Sequence, residues 1–279
     1  MADRREALLK GLLHLGCVEI SEPDGLLEDP AWSALLQRGS SRLADTKSEI
    51  NDVNTALDAI RRYAGLKDGL FIKRHPISEE AFLSAGTAER AQAVSREVGE
   101  QLQTLTRLQS EENRLVARQA SLLPWQAMDM PLELSGTEHV LFRPGVVPAG
   151  VNVGELQVSF GDLAAELLEI SSDKQQKYCL LVCLRQDEEA VMECLRPFSF
   201  SAVSFQGLTG TADANLTSVS QALAENRKAQ EDAAAAIAAN GEARDALRVY
   251  ADRLAAEAAE ETSAQRILTD GTIAFFEGW

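Results

Sequence analysis

Apolar residues recur along this chain at two periods, and the change of period divides it. Residues 4–15 carry Leu8, Leu9, Leu12 and Leu13 on one side of a predicted helix, with Gly16 as its C-cap. Cys17 to Ile20 forms a short predicted strand, and Ser21 to Gly25 a turn. The next helix starts near Asp29 and Pro30. In it Leu36, Leu43, Ile50 and Leu57 fall seven apart, with Val53 and Ile60 between them. That spacing is a coiled-coil seam. Gly65, Gly69 and Pro76 interrupt it around the apolar patch Leu70-Phe71-Ile72. Ser78 then opens a second long helix whose seam runs Val94, Val98, Leu102, Leu105, Leu108, Leu115 and Leu122, up to Pro124.

From 131 to 206 the period shortens to that of strands. Val140 to Phe142, extended by Val146 and Val147, then Glu166 to Ile170, Lys177 to Leu184 and Ala202 to Phe205 are predicted strands. Helices from about Val153 and over 188–196 separate them, the second capped by Asp187. The order β-α-β-β-α-β predicts a ferredoxin-like split unit with the first and third strands central. From Thr211 to about Ile267 one helical stretch follows, capped by Thr211 or Asp213. Leu216, Val219, Leu223, Ala233, Ile237, Leu247, Ala251 and Leu254 lie in one register, with polar Asn226, Gln230, Asn240 and Arg244 in the remaining positions. Such a helix is about 85 Å long and needs partners of comparable length. Thr272 to Phe276 is a last strand, expected to meet 17–20.

The expected fold is therefore α+β: a long antiparallel coiled-coil rod, a ferredoxin-like lobe at the far tip and a partial α/β lobe at the near end. Its parts are 1–28 (near lobe), 29–130 (outgoing helices), 131–206 (distal lobe), 207–267 (returning helix) and 268–279 (near-lobe strand). The core positions are Leu36, Leu43, Ile50, Leu57, Leu105, Leu115, Leu223, Ile237 and Leu247.

Composition agrees with long helices, since aromatics are only 5% while Ala, Leu, Glu and Gln abound. With 27 basic and 43 acidic side chains, the net charge of −16 disfavours nucleic acid and anionic lipid and favours a basic partner. No apolar run is long enough for a membrane span, and the N-terminus lacks a signal-peptide core. Cys17, Cys179, Cys183 and Cys194 have no framework spacing and are expected as reduced thiols.

Candidate chemistry is sparse. His14, His75 and His139 have no ligand-spaced partner. Cys179 and Cys183 share one face of a strand and are expected as a buried apolar pair. Gly207 to Thr211 lacks the Lys-Ser/Thr of a phosphate loop and is expected as a hinge. Glu79-Glu80, Glu111-Glu112 and Glu260-Glu261 are expected on solvated helix faces. No catalytic residue, metal site or cofactor site is assigned.

Several strings carry a resemblance. Leu15-Gly-Cys-Val-Glu-Ile20, Pro124-Trp125, Ser171-Ser-Asp-Lys174, Val203-Ser-Phe205 before Gly207-Leu-Thr-Gly-Thr211, and Phe275-Phe-Glu-Gly-Trp279 stand in the order described. Together they resemble the N-terminal cytoplasmic region of subunit I of V-type (A/V-type) ATPases, the counterpart of subunit a. The last string is the most specific, and the resemblance spans essentially the whole chain. It implies a non-catalytic stator arm that links E/G-type peripheral stalks to the membrane sector and supports proton or sodium transport coupled to ATP synthesis or hydrolysis. Rotor-associated and membrane-ring subunits are the further partners implied. The full-length protein would lie at the cytoplasmic face of the membrane, with this piece soluble and not inserted. Two departures stand out: family members begin with a strand before the first helix, and they continue past the Gly-Trp into a multi-span membrane domain. The turn around Ser171, Asp173, Lys174 and Gln176 is the expected stalk-docking feature of the far lobe. The competing reading is another coiled-coil scaffold or tethering protein without catalysis.

A rod of this kind scatters X-rays unlike a globule. A compact chain of this length has a radius of gyration of about 19 Å. Small-angle scattering is expected to give a clearly larger value, and a particle near the compact radius would eliminate the rod.

Overall fold

The computed structural model describes residues 5–21, 23, 25, 28–38, 41–66 and 76–279, without the side chains of 5, 6, 10, 13 and 14. The expected patch Leu70-Phe71-Ile72 lies outside these residues. The protein is α+β, with long helices and antiparallel sheets. It divides into two compact units, Met1–Leu105 with Glu231–Trp279, and Thr106–Gln230.

The first unit opens with α1 (Arg5–Leu15), ended by Gly16 in the left-handed conformation with its N–H on the Leu12 carbonyl. β1 (Ile20–Ser21) follows. The helix expected from Asp29 is a single turn, α2 (Pro30–Ser33), capped by the Asp29 carboxylate. The chain then enters β2 (Gln37–Arg38), and the long helix α3 begins only at Leu43 and runs to Tyr63. Leu36 is buried, but it lies before β2 and outside the long helix.

Two contacts move that start. β2 pairs with Leu268–Thr269, so Gln37 and Arg38 are held extended. Glu261 accepts from the Ser41 hydroxyl at 2.8 Å and the Arg42 N–H at 2.9 Å, while Ser41 Oγ accepts from the Leu43 N–H. The N–H groups of Arg42 and Leu43, two of the donors left free at the helix start, are thereby satisfied.

On α3 the buried stripe is Val53, Ala56, Ala59 and Ile60; Leu43, Ile50 and Leu57 are half-buried, the last two packed beside it. Ser78 caps a short helix, α4 (Glu79–Leu83), rather than the long one. Ser84 leaves helical geometry, and α5 (Ala85–Leu122) then runs 38 residues, with Ala91, Val94 and Val98 in the same core.

The second unit holds the lobe. Pro124 ends α5 in a 3-10 turn, Leu123–Trp125. β3 (Val140–Pro148), α6 (Val153–Ser159), β4 (Ala165–Ser172), β5 (Gln176–Leu184), α7 (Glu188–Leu195) and β6 (Ser201–Ala202) follow. The sheet order is β4-β5-β3-β6, all antiparallel, so the first and third strands are central as in a split β-α-β unit. One face buries Leu141, Leu167, Cys179 and Leu181 under Leu156 and Val191 of the two helices. The other packs on Leu122, Trp125 and Leu216, with Trp125 edge-on to both Tyr178 and Phe205.

The fourth strand is shorter than expected. A Cβ at Gly145 would run into the Phe200 ring, so β6 crosses β3 at a glycine, and Phe205 is drawn to Trp125 instead of continuing the ladder.

The returning helix is two helices, α8 (Ala212–Ala239) and α9 (Arg244–Gln265), joined by a 3-10 segment over Asn240–Ala243. Asn240 donates its side-chain amide to the Ala236 carbonyl, competing with the helix ladder. After Asn240 come buried Ala243, Leu247, Tyr250 and Leu254; Leu247 and Leu254 keep the expected register, and between them Tyr250, three residues after Leu247, is buried while Ala251 packs half-buried beside it.

At the chain end β7 (Leu268–Thr269), β8 (Ala274–Phe275) and β9 (Glu277–Gly278) complete two small sheets, β2-β7-β8 and β1-β9. The last strand thus meets the first through Glu277–Gly278, one step later than the expected 272–276.

Ile237 is fully buried against Leu247 and Val98, whereas Leu57 is only half-buried. Ile237→Ala is expected to cost about 2–4 kcal/mol, and Leu57→Ala distinctly less. Denaturant melts of the two variants check this order.

Candidate interaction surface

Among the described residues no group of three or more His, Cys, Asp or Glu is placed to hold a metal ion. His139 is exposed; the His14 side chain and His75 lie outside the description. Cys179 and Cys183 are buried on one sheet face, and burial pushes the Cys179 thiol up to about 11. Cys194 packs beside the same core, and Cys17 is exposed.

The Gly207–Thr211 segment turns at two left-handed glycines, Gly207 and Gly210. The Gly210 N–H donates to a Glu133 carboxylate oxygen at 2.8 Å, and its carbonyl accepts from Leu132. Thr211 caps α8 through the Ala214 N–H. The loop's Gly210 amide is thus satisfied by an anion of the chain itself, which repels a phosphate there.

Two of the acid pairs are not solvated as expected. Glu261 caps α3 as described. Glu112 accepts from Gln230 at 2.8 Å and from Arg227 at 3.0 Å, and these bonds hold its carboxyl below the usual range. Gln230 also donates to the side-chain oxygen of Asn226, whose own amide donates to the Leu108 carbonyl. Asn226 is buried, so this is a polar layer inside the α5–α8 seam. Leu115 and Leu223 are buried together beside it with Val219. In the other unit, the Tyr250 hydroxyl donates to Glu49 at 2.6 Å, and Gln92 donates to both, tying α3, α5 and α9. Burial and the Glu49 carboxylate push the Tyr250 phenol to about 12. The only sequence signal for these joints is a polar residue at a seam position: Asn226 and Gln230 give it, whereas Glu112 and Tyr250 do not.

The turn between β4 and β5 is built by Asp173. One of its carboxylate oxygens accepts from the N–H groups of Gln175 (2.7 Å) and Gln176 (2.9 Å), and the other from the Tyr178 hydroxyl (2.9 Å). Gln176 donates from its side chain to the Tyr178 oxygen. Ser171 points inward, donating to the Pro124 carbonyl at 2.6 Å and fastening the hairpin to the end of α5. Of the four residues expected at the turn, Asp173 and Lys174 are exposed, while Ser171 and Gln176 are half-buried. Among the described residues the turn presents a bonded backbone and one cation without an ion pair, Lys174, to solvent. β4 beside it is an edge strand, with Glu166 and Glu169 exposed and a register shift between Glu169 and Ser171.

No helix among the described residues is long and apolar enough to cross a membrane. No family model matches the chain, and no curated protein matches it. Among solved structures it is similar to the crystal structure of the cytoplasmic N-terminal domain of subunit I, homolog of subunit a, of V-ATPase. The identity is 19% and the TM-score 0.45, over 100% of this chain and 90% of that one.

The Asp173 bonds lower its carboxyl pKa, with the Gln175 N–H the largest cause, then Gln176 and Tyr178. A depressed folded pKa means the turn is stabilised above the unfolded value of about 3.9 and loses that support as pH falls through the folded value. Carboxyl-detected NMR is expected to show Asp173 titrating below free aspartate. Amide protection at Gln175 and Gln176 falls over the same pH range, and Asp173→Ala abolishes both effects.

Proposed function

We propose that this chain is the cytoplasmic arm of a subunit-I-type membrane subunit of a rotary V-type ATPase, a non-catalytic stator piece that holds E/G-type peripheral stalks. The observation that carries the reading is the order and pairing of its elements. Two long helical passages bracket a split β-α-β lobe. The Phe275-Phe-Glu-Gly-Trp279 string, on which the resemblance is strongest, closes onto the first strand through Glu277–Gly278. A stator has to transmit torque without chemistry. Paired helices resist bending, and a lobe with both sheet faces covered offers a rigid side-on dock.

On this reading the stalk reaches the lobe at the Asp173–Lys174 turn and the edge of β4, and its own Lys and Arg face the acidic surface of the arm. The interface is moderate and salt-sensitive, reinforced by a second attachment at the other unit. Rotor-associated and membrane-ring subunits are the remaining neighbours of the parent complex, and the arm lies on the cytoplasmic side of the membrane.

Interferometry with a purified stalk heterodimer tests it. Binding is expected at low salt and weakens at high salt. It weakens further when 131–206 is replaced by a short helical hairpin, or when Asp173 and Lys174 are exchanged for Lys and Glu. Equal binding by all forms would remove the lobe from the interface, and no binding at low salt would favour an unrelated scaffold.

A further inference from the structure

Three helices weaken at one level in the unit formed by Met1–Leu105 and Glu231–Trp279. α3 stops there: the Ala64 N–H closes its last turn on the Ile60 carbonyl, and Gly65 follows in the left-handed conformation. The returning chain leaves α-helical geometry over Asn240–Ala243, and a Cβ at Gly241 would stand 3.8 Å from the Ala64 methyl. From the same segment the Asn240 amide donates to a Glu97 carboxylate oxygen of α5 at 3.5 Å. Two residues on is Gly99, in the interior of the 38-residue α5.

Each feature makes bending easier for its own reason. The 3-10 hydrogen bonds of Asn240–Ala243 have poorer geometry than those of an α-helix. Asn240 gives the Ala236 carbonyl a side-chain donor, so that carbonyl keeps a partner when the backbone ladder opens. Glycine is the least restrained residue that a helix interior holds. Packing does not demand it here: a Cβ at Gly99 meets nothing within 4 Å, and one at Gly241 makes only ordinary contact. On one side of the level α3 braces α5 and α9 through Val53, Ala56 and Ile60. Across it Val98, Ile237 and Ala243 are buried in one core, and such apolar contacts are non-directional, so they hold through a small tilt.

We propose that this level is a flexure, at which α5 bends about Gly99 while the Asn240–Ala243 segment yields on the facing helix. α3 ends at the level and so does not splint it. The coincidence carries the inference. A helix end, a 3-10 break and an interior glycine lie far apart in sequence, and the contacts of Gly241 with Ala64 and of Asn240 with Glu97 bring them together. The flexure belongs to the chain's own mechanics and does not rest on the stator reading.

Pulsed dipolar electron spin resonance between nitroxide labels tests it. The full chain carries Cys17→Ser and Cys194→Ala, with the buried Cys179 and Cys183 left in place. Arg90→Cys with Gln103→Cys spans the level, and Arg107→Cys with Ala120→Cys lies beyond it. All four sites are exposed on α5, and the members of each pair are thirteen residues, about 20 Å, apart. The spanning pair is expected to give a distance distribution about twice as broad as the other. Gly99→Ala with Gly241→Ala narrows it to the width of the reference pair, because alanine stiffens both helices. Asn113→Ala, an equivalent change at an exposed position beyond the level, leaves the spanning pair broad. Circular dichroism verifies folding, and if the alanine pair does not fold, the two label pairs in the otherwise native helices decide alone. The proposal is overturned by equal widths of the two pairs, by a broad spanning distribution that survives both alanines, or by Asn113→Ala narrowing it as much.

Discussion

A 38-residue helix has one apolar stripe and nothing within itself to bury it against. Everything in the unit around the lobe follows from the partner that α5 finds in α8. Leu108 meets Asn226, Leu115 meets Leu223, Gln119 meets Ser220, and Gln126 meets Asp213. As one number rises the other falls, so the two helices run antiparallel in one register. Both of their lobe-side ends converge on the same core, where Leu122, Trp125 and Leu216 close the second face of the sheet. The hairpin of β4 and β5 is then fastened to this end by the Ser171 bond to Pro124.

Polar groups act as joints in this protein more than its acidic composition suggests. Glu261 starts α3 from more than 200 residues away. Glu112, Arg227, Gln230 and Asn226 form a bonded layer inside a seam that is otherwise leucine and valine. Tyr250, Glu49 and Gln92 tie three helices at one point. An unpaired polar group at any of these places costs more than the bond gains, so each joint favours one arrangement over its neighbours.

The scarcity of aromatic residues makes charge and shape the main features of the described surface. The lobe offers a preformed turn and an edge strand guarded by Glu166 and Glu169. In the other unit Asp45, Asp52 and Glu100 line an open groove between α3 and α5.

Features decided within a helical turn or a strand pair were legible in the chain itself. Gly16 and Thr211 act as caps where their chemistry requires it. The lobe's strand alternation fixed the order of its elements, and through the chirality of the crossover the central position of the first and third strands. The polar run Ser171-Ser-Asp-Lys174 announced a turn, and Asp173 builds it. Tertiary structure alone decided the rest. Two-residue strands such as β2 and β7 have no periodicity to read, and their pairing starts α3 at Leu43 instead of near Pro30. Between Leu247 and Leu254, which keep the expected register, Tyr250 and not Ala251 is the buried residue, because its hydroxyl finds Glu49 and Gln92 on two other helices. Whether a glutamate is solvated or bonded, as at Glu112 and Glu261, depends on donors more than 100 residues away, which no local pattern encodes.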